Sequence, residues 1–163
     1  MKSDKYPVVA ITGGIGSGKS YVCRLLEQRG IRVYDCDSAA KRLMRGSTLL
    51  KEQLTRLIGP DTYIDGCLNK AAVASFMMQN DANVKKINAI VHPAVAEDFF
   101  QSDYTWMETA ILYDCGFDRY ADIVIAVVDD YVVGTSRHLL LVHLLGYPFQ
   151  GFFTADGVAL NYA

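Results

Sequence analysis

An α/β fold built on a parallel sheet is what this sequence predicts, and three observations carry the prediction. The apolar, β-branched run Val8-Val9-Ala10-Ile11-Thr12 is fenced by Pro7 and by Gly13-Gly14, which marks a buried strand. After a glycine-rich loop, residues Lys19 to Arg29 carry Val22, Leu25 and Leu26 at helical spacing, and Gly30 suits the position just past a helix end. Ile31-Arg32-Val33-Tyr34 then reads as a second strand. Strand, loop, helix, strand in that order opens a parallel sheet.

The next stretch reads as mostly helical. Helices are expected at Ser38–Arg45, Thr48–Leu57, Asn69–Met78, Asp81–Ile90 and Pro93–Phe100. The last break is placed at His92, because a residue before proline is pushed out of the α region while proline suits a first helical position. Strands return at Trp106–Leu112 and Ile123–Val128. The expected organisation is a core over residues 1–131, with a helical insertion at about 38–103, followed by a distinct segment over 132–163.

Composition narrows the class. The 163 residues are 51% apolar and 21% charged, with a formal net charge of -2. Such a chain can bury a core and is not disordered. No part is basic enough for a protein that coats nucleic acid, and no stretch approaches the ~20 apolar residues of a membrane span. The short polar start, Met1 to Pro7, is unlike a signal peptide. Cys23, Cys36, Cys67 and Cys115 stand far apart, so they are expected to be reduced thiols of a cytoplasmic protein. Residues 132–163 hold only two charged side chains, Arg137 and Asp156, and a run of leucines.

The chemistry begins at Gly13-Gly14-Ile15-Gly16-Ser17-Gly18-Lys19-Ser20, which fits G-x-x-x-x-G-K-[ST]. Glycines let backbone N–H groups wrap a phosphate in conformations that a Cβ forbids. The helix that follows offers its positive end to the same phosphates. Residues 14–20 are therefore expected to bind the ATP phosphates, with Lys19 on the β- and γ-phosphates and the Ser20 hydroxyl on Mg²⁺. A chance glycine-rich turn is the plainer alternative, but the strand before and the helix after supply the context that the motif requires.

Asp35 and Asp37 follow the second strand. In an extended segment they would share a face, at the strand end where open parallel sheets hold ligands. One carboxylate could accept the proton of an attacking hydroxyl, and either could help to hold Mg²⁺ through water. Equally, Asp37 could only cap the helix that begins at Ser38.

Four segments together resemble the dephospho-coenzyme A kinase family, a family of P-loop kinases. They are Ile11 to Ser20, Asp35-Cys36-Asp37, Asn88-Ala89-Ile90-Val91-His92-Pro93-Ala94-Val95, and Glu108-Thr109-Ala110-Ile111-Leu112-Tyr113-Asp114. They occur in the family's order across residues 8–128, with Asp114 where a Glu is more usual. The resemblance implies a P-loop NTPase-type parallel sheet flanked by helices, with a helical substrate subdomain inserted after the second strand. It implies transfer of the ATP γ-phosphate to the 3′-hydroxyl of dephospho-coenzyme A, the final step of coenzyme A synthesis. It assigns Asp37 as the base and places the His92 element near the acceptor, where His92 could contact substrate or be a loop or packing residue; Asp35 is expected at the acceptor, and Tyr113 could flank it or lie in the core. Phe117 could flank the acceptor or lie in the core. Lys41, Arg42, Arg45, Lys85 and Lys86 could attract the acceptor pyrophosphate, or form a solvated helix face.

The resemblance ends after Val128. The family continues with an arginine-rich helical lid, whereas Arg137 is the only lysine or arginine here beyond Arg119. Residues 132–163 could be an out-of-frame or truncated end, a variant that binds nucleotide without turnover, or a divergent lid served by Arg137. Another small-molecule kinase, of nucleoside monophosphate or shikimate type, is the alternative activity. A GTPase is disfavoured, because no Asn-Lys-x-Asp element appears.

Overall fold

The computed structural model describes residues 6–132, 135–144, 150–154 and 159–161. The chain divides into two compact units: Met1–Asp35 with Asp103–Ala163, and Cys36–Ser102.

The first unit opens with β1 (Val9–Thr12), buried along its whole length, as a strand covered on both faces should be. Its start is pinned by Val8 N–H, which donates to the Asp122 carboxylate at 2.9 Å. Helix α1 (Lys19–Glu27) follows the loop, and β2 (Val33–Asp35) ends the segment.

The second unit is mainly helical. Helix α2 (Cys36–Gly46) begins at the residue after β2. The side chain of Ser47 caps α3 (Thr48–Ile58). A small hairpin, β3 (Tyr63–Ile64) and β4 (Cys67–Leu68), follows. Its two-residue turn, Asp65-Gly66, has φ of 50° and 77°, the left-handed pair that matches strand twist. Asn69 caps α4 (Lys70–Gln79), and Asn80 caps α5 (Asp81–Gln101).

The expected break at His92-Pro93 does not occur, because α5 runs through Pro93. Pro93 has no N–H to offer the carbonyl of Ala89, and such a proline costs a helix about 3 kcal/mol. The buried stripe Ile87, Val91, Val95, Ala96 and Phe99 continues on both sides of it. Burying side chains of this kind contributes about 1.5–3 kcal/mol each, so packing against α2, α3 and α4 outweighs the local cost.

Back in the first unit, β5 covers only Trp106–Glu108, shorter than the strand expected to Leu112. Thr109 N–H still donates to Ile11 C=O, but Cys115 N–H then returns to Ile111 C=O and Phe117 N–H to Leu112 C=O. The chain turns there instead of extending. Strand β6 (Ile123–Val132) pairs parallel to β1. The four parallel strands stand in the order β2-β5-β1-β6.

The low-charge segment extends this sheet in antiparallel fashion, through β7 (Thr135–Leu144), β8 (Gln150–Thr154) and β9 (Ala159–Asn161). The leucine run lies in β7, opposite β6. Of this segment, residues 133–134, 145–149, 155–158 and 162–163, like 1–5 at the start, lie outside the described residues. Under the sheet, Ile11, Val22 and Val127 form an apolar cluster joined by Cys23, Leu26, Val33, Trp106 and Ile125.

Candidate active site

The loop between β1 and α1 is built by its glycines. At Gly13 the backbone has a φ of +151°, and a Cβ placed there would lie 2.2 Å from the Val127 carbonyl oxygen and 2.8 Å from Ser17 Oγ. Only glycine fits, so β1 can turn sharply against β6. Gly16 and Gly18 also adopt positive φ, 83° and 87°. Gly18 stands just ahead of α1, which has no side-chain cap and no acidic residue in its first turn. The positive end of α1 is thus left for an anion from outside the chain.

Within the loop, Ser17 N–H donates to Gly14 C=O at 3.2 Å. The Lys19 ammonium reaches back to the same carbonyl at 3.1 Å. Ile15 is fully exposed at the tip, and Ser20 is exposed on the first turn of α1. Ser17 is 6% exposed, and its Oγ is a buried oxygen without a hydrogen-bond partner. The glycine cradle that a Cβ would fill, the uncapped helix end and the lysine fit a polyphosphate.

The same residues fit a magnesium ion carried by that polyphosphate. Among the described residues, no three His, Cys, Asp or Glu side chains form a cage for a metal ion. Ser20, exposed on the first turn of α1, offers a hydroxyl of the kind that such an ion takes.

The acidic pair differs from its extended reading. Asp35 is the last residue of β2, but α2 starts at Cys36, so Asp37 lies in a helical first turn. The two therefore do not share a strand face, and Asp37 sits inside the helix instead of capping one that begins at Ser38. Both are exposed.

Cys23, one turn along α1 from Lys19, reports on the neighbourhood. Burial pushes its thiol up to about 11; the carboxylates of Glu108, Glu27 and Asp35 add to the shift, and Lys19 opposes it. Lys19 and Asp35 are thus brought to one region of the first unit. Tyr113 lies in the turn after β5 and is 59% exposed, whereas Phe117 is buried in the core.

The remaining expected residues belong to the second unit. His92 is half-buried in the middle of α5, and burial lowers its pKa below the usual histidine value. Arg42 is paired with Asp98 at 2.5 Å. Lys41, Arg45, Lys85 and Lys86 are exposed on helix surfaces. The same unit holds a cleft of about 400 Å³ lined by residues that include Leu43, Leu50, Ile90, Pro93, Glu97 and Asp98, and by none of these basic side chains.

Sequence reasoning passed over Gly13, whose contact with Val127 requires glycine. Its signal was present, as the first position of the motif. Glu108, named in the sequence only as the first residue of the fourth family-like segment, ends β5 next to Asp35 of β2.

A family model described as "Dephospho-CoA kinase" matches residues 7–130. A curated dephospho-CoA kinase from Porphyromonas gingivalis is 43% identical over 125 residues, covering 73% of this chain and 62% of the relative. One from Bacteroides fragilis is 36% identical over 126 residues, covering 73% and 62%. The chain thus spans about 62% of the length of these relatives. Among solved structures, TT1252 from Thermus thermophilus is similar with a TM-score of 0.62 and 30% identity, over 76% of this chain and 66% of that one. A dephospho-CoA kinase from Campylobacter jejuni shares the fold, with a TM-score of 0.56 and 13% identity, over 73% and 64%.

Proposed function

The chain belongs to the dephospho-CoA kinase family, and from that membership we propose that it transfers the γ-phosphate of ATP to the 3′-hydroxyl of dephospho-CoA. The observation that carries the reading is the complete phosphate loop between β1 and α1, inside the matched residues 7–130.

In this reading, residues Gly14 to Ser20 receive the ATP phosphates. Lys19 exchanges the Gly14 carbonyl for the β- and γ-phosphates, and Ser20 holds Mg²⁺. Bound magnesium supplies positive charge against the phosphate oxygens. The acceptor oxygen forms a bond to the γ-phosphorus, the bond to the β,γ-bridging oxygen breaks, and ADP leaves. Asp37 accepts the proton of the acceptor hydroxyl. Asp35, His92 and Tyr113 contact the acceptor, and the helical unit Cys36–Ser102 with its cleft is the part that recognises it. His92 does so as a neutral imidazole, in keeping with its lowered pKa. The setting is the cytoplasm, and four cysteines that form no disulfide support it. No nucleic acid or membrane takes part.

Cations around the γ-phosphate are a main source of rate in phosphoryl transfer, and an arginine finger is worth about 10³–10⁵-fold. These 163 residues carry only Arg137 beyond Arg119, so we expect the polypeptide alone to bind ATP and to transfer phosphate slowly. The test is labelled ATP offered with dephospho-CoA, nucleoside monophosphates and shikimate in turn. Product on dephospho-CoA alone, abolished in Lys19→Ala, is expected. Product on another acceptor would replace the reading, and nucleotide binding with no product on any acceptor would leave a binding protein.

A further inference from the structure

Among the described residues, Ser17 Oγ is the only buried side-chain nitrogen or oxygen without a hydrogen-bond partner. The residue is 6% exposed. Its hydroxyl turns toward Gly13, 2.8 Å from where a Cβ on that glycine would stand. A buried hydroxyl without a partner has given up water and received nothing in return. Native structures hold few such groups, and each has a cause.

The cause lies at one carbonyl. Gly14 C=O accepts from Ser17 N–H at 3.2 Å and from the Lys19 ammonium at 3.1 Å. A carbonyl oxygen has two lone pairs, so these two donors fill it. Serine hydroxyls donate readily to carbonyls three or four residues earlier in the chain, and Gly14 stands three before Ser17. The N–H bond already folds that carbonyl back onto the Ser17 backbone. A rotation about the Cα–Cβ bond of Ser17, from one staggered well to another, is the motion that brings the hydroxyl round to it. In the free protein Lys19 holds that place.

We propose that Ser17 is a positioning residue of the phosphate loop: when nucleotide phosphates draw the Lys19 ammonium off Gly14, the Ser17 hydroxyl rotates and donates to the carbonyl that Lys19 has left. One rotation then satisfies two groups, because the carbonyl regains a second donor and the buried hydroxyl gains its first partner. The exchange keeps the turn from Gly14 to Ser17 closed while Lys19 serves the phosphates. It also makes nucleotide binding more favourable than the phosphate contacts alone would. The proposal rests on the nucleotide-binding part of the function above and not on the identity of the acceptor.

The test combines urea unfolding of the full chain without nucleotide and calorimetric titration with ADP. Ser17→Ala should unfold at or above the wild-type urea midpoint, because the hydroxyl it loses has no partner in the free protein. The same variant should bind ADP about 5–50-fold more weakly, the effect of losing a buried hydrogen bond made only in the complex. Ser17→Thr, which keeps the hydroxyl, should bind ADP more tightly than Ser17→Ala. In Lys19→Ala the Gly14 carbonyl is open without nucleotide, so the hydroxyl should be engaged already. Adding Ser17→Ala to Lys19→Ala should therefore lower the urea midpoint, which it does not do in the wild-type background. A hydroxyl of merely structural use would lower the midpoint in both backgrounds, and that result overturns the proposal. So does a midpoint unmoved in both. Wild-type ADP affinity in Ser17→Ala overturns the proposal and leaves nucleotide binding standing, whereas a wild type that binds no ADP overturns both.

Discussion

Replacing Gly13 by alanine tests the loop at its tightest point. The new Cβ would meet the Val127 carbonyl oxygen at 2.2 Å and Ser17 Oγ at 2.8 Å. The Ser17 hydroxyl sits at the end of a side chain and can rotate away. The Val127 carbonyl is backbone in β6, parallel to β1, and can move only if the pairing moves. Overpacking of this kind costs about 1–3 kcal/mol. Holding a non-glycine residue at a φ of +151° adds about 1–3 kcal/mol. Together these predict a loss of about 2–6 kcal/mol, a large share of the roughly 5–15 kcal/mol that a domain has. Gly14→Ala is the matched control. Nothing lies within 4 Å of a Cβ there and its φ is not positive, so its effect should stay within about 1 kcal/mol of neutral. Urea unfolding of both variants, followed by circular dichroism, gives the comparison, and ADP titration shows whether the loop still binds. If Gly13→Ala unfolds at the wild-type midpoint and binds ADP normally, the close approach to Val127 is not a constraint and the reasoning fails.

Three further outcomes follow from particular side chains. Asp37→Asn should leave ATP affinity and the urea midpoint unchanged while lowering transfer to dephospho-CoA about 10²–10⁴-fold; a near-normal rate in steady-state assays would remove the base from Asp37. Pro93→Ala should raise the stability of the helical unit by about 2 kcal/mol, the helix cost of proline less the entropy that proline removes from the unfolded chain; an unchanged or lower urea midpoint would mean that the Ala89 carbonyl is satisfied in some other way. Cys23 has a folded pKa of about 11 against 9.0 unfolded, so the folded chain binds more protons in that window. Its contribution to stability is then complete below pH 9 and is lost as pH rises through about 11. The slope of stability against pH from 9 to 11 should be less negative in Cys23→Ala than in the wild type, and equal slopes would contradict the burial of the thiol.

Features fixed by near neighbours in the chain were the legible ones. The phosphate loop is a local pattern between Thr12 and Lys19, and its strand and helix flank it as the residues imply. The caps Ser47, Asn69 and Asn80 stand where helices were expected to start or break. Failures came where distant residues decided. Pro93 signals a helix break on its own, but the stripe from Ile87 to Phe99 supplies packing on both sides of it. Thr109 to Leu112 has strand-like composition, yet the backbone turns back on itself after Glu108. The Asp65-Gly66 hairpin carried a local signal that was passed over, because only two residues on each side pair. Asp35 and Asp37 look alike in the sequence, and the onset of α2 at Cys36 puts one at a strand end and the other in a helical turn.

Glu108 shows how a parallel sheet brings together residues that lie far apart along the chain. Asp35 is found because it follows a recognisable strand directly after the loop and helix. Glu108 ends a three-residue strand that is more than 70 residues further on. In a parallel sheet, strands adjacent in sequence need not be adjacent in space. Here β5 enters between β2 and β1, so the carboxyl end of a late strand becomes the neighbour of both early ones. The register then decides which side chain arrives. A shift of one residue would turn Glu108 to the opposite face and bring a neighbouring residue to Asp35 in its place. Trp106 resists that shift, because its indole is part of the layer formed by Ile11, Val33 and Val127. The apolar layer beneath the strands therefore fixes which carboxylate stands beside Asp35.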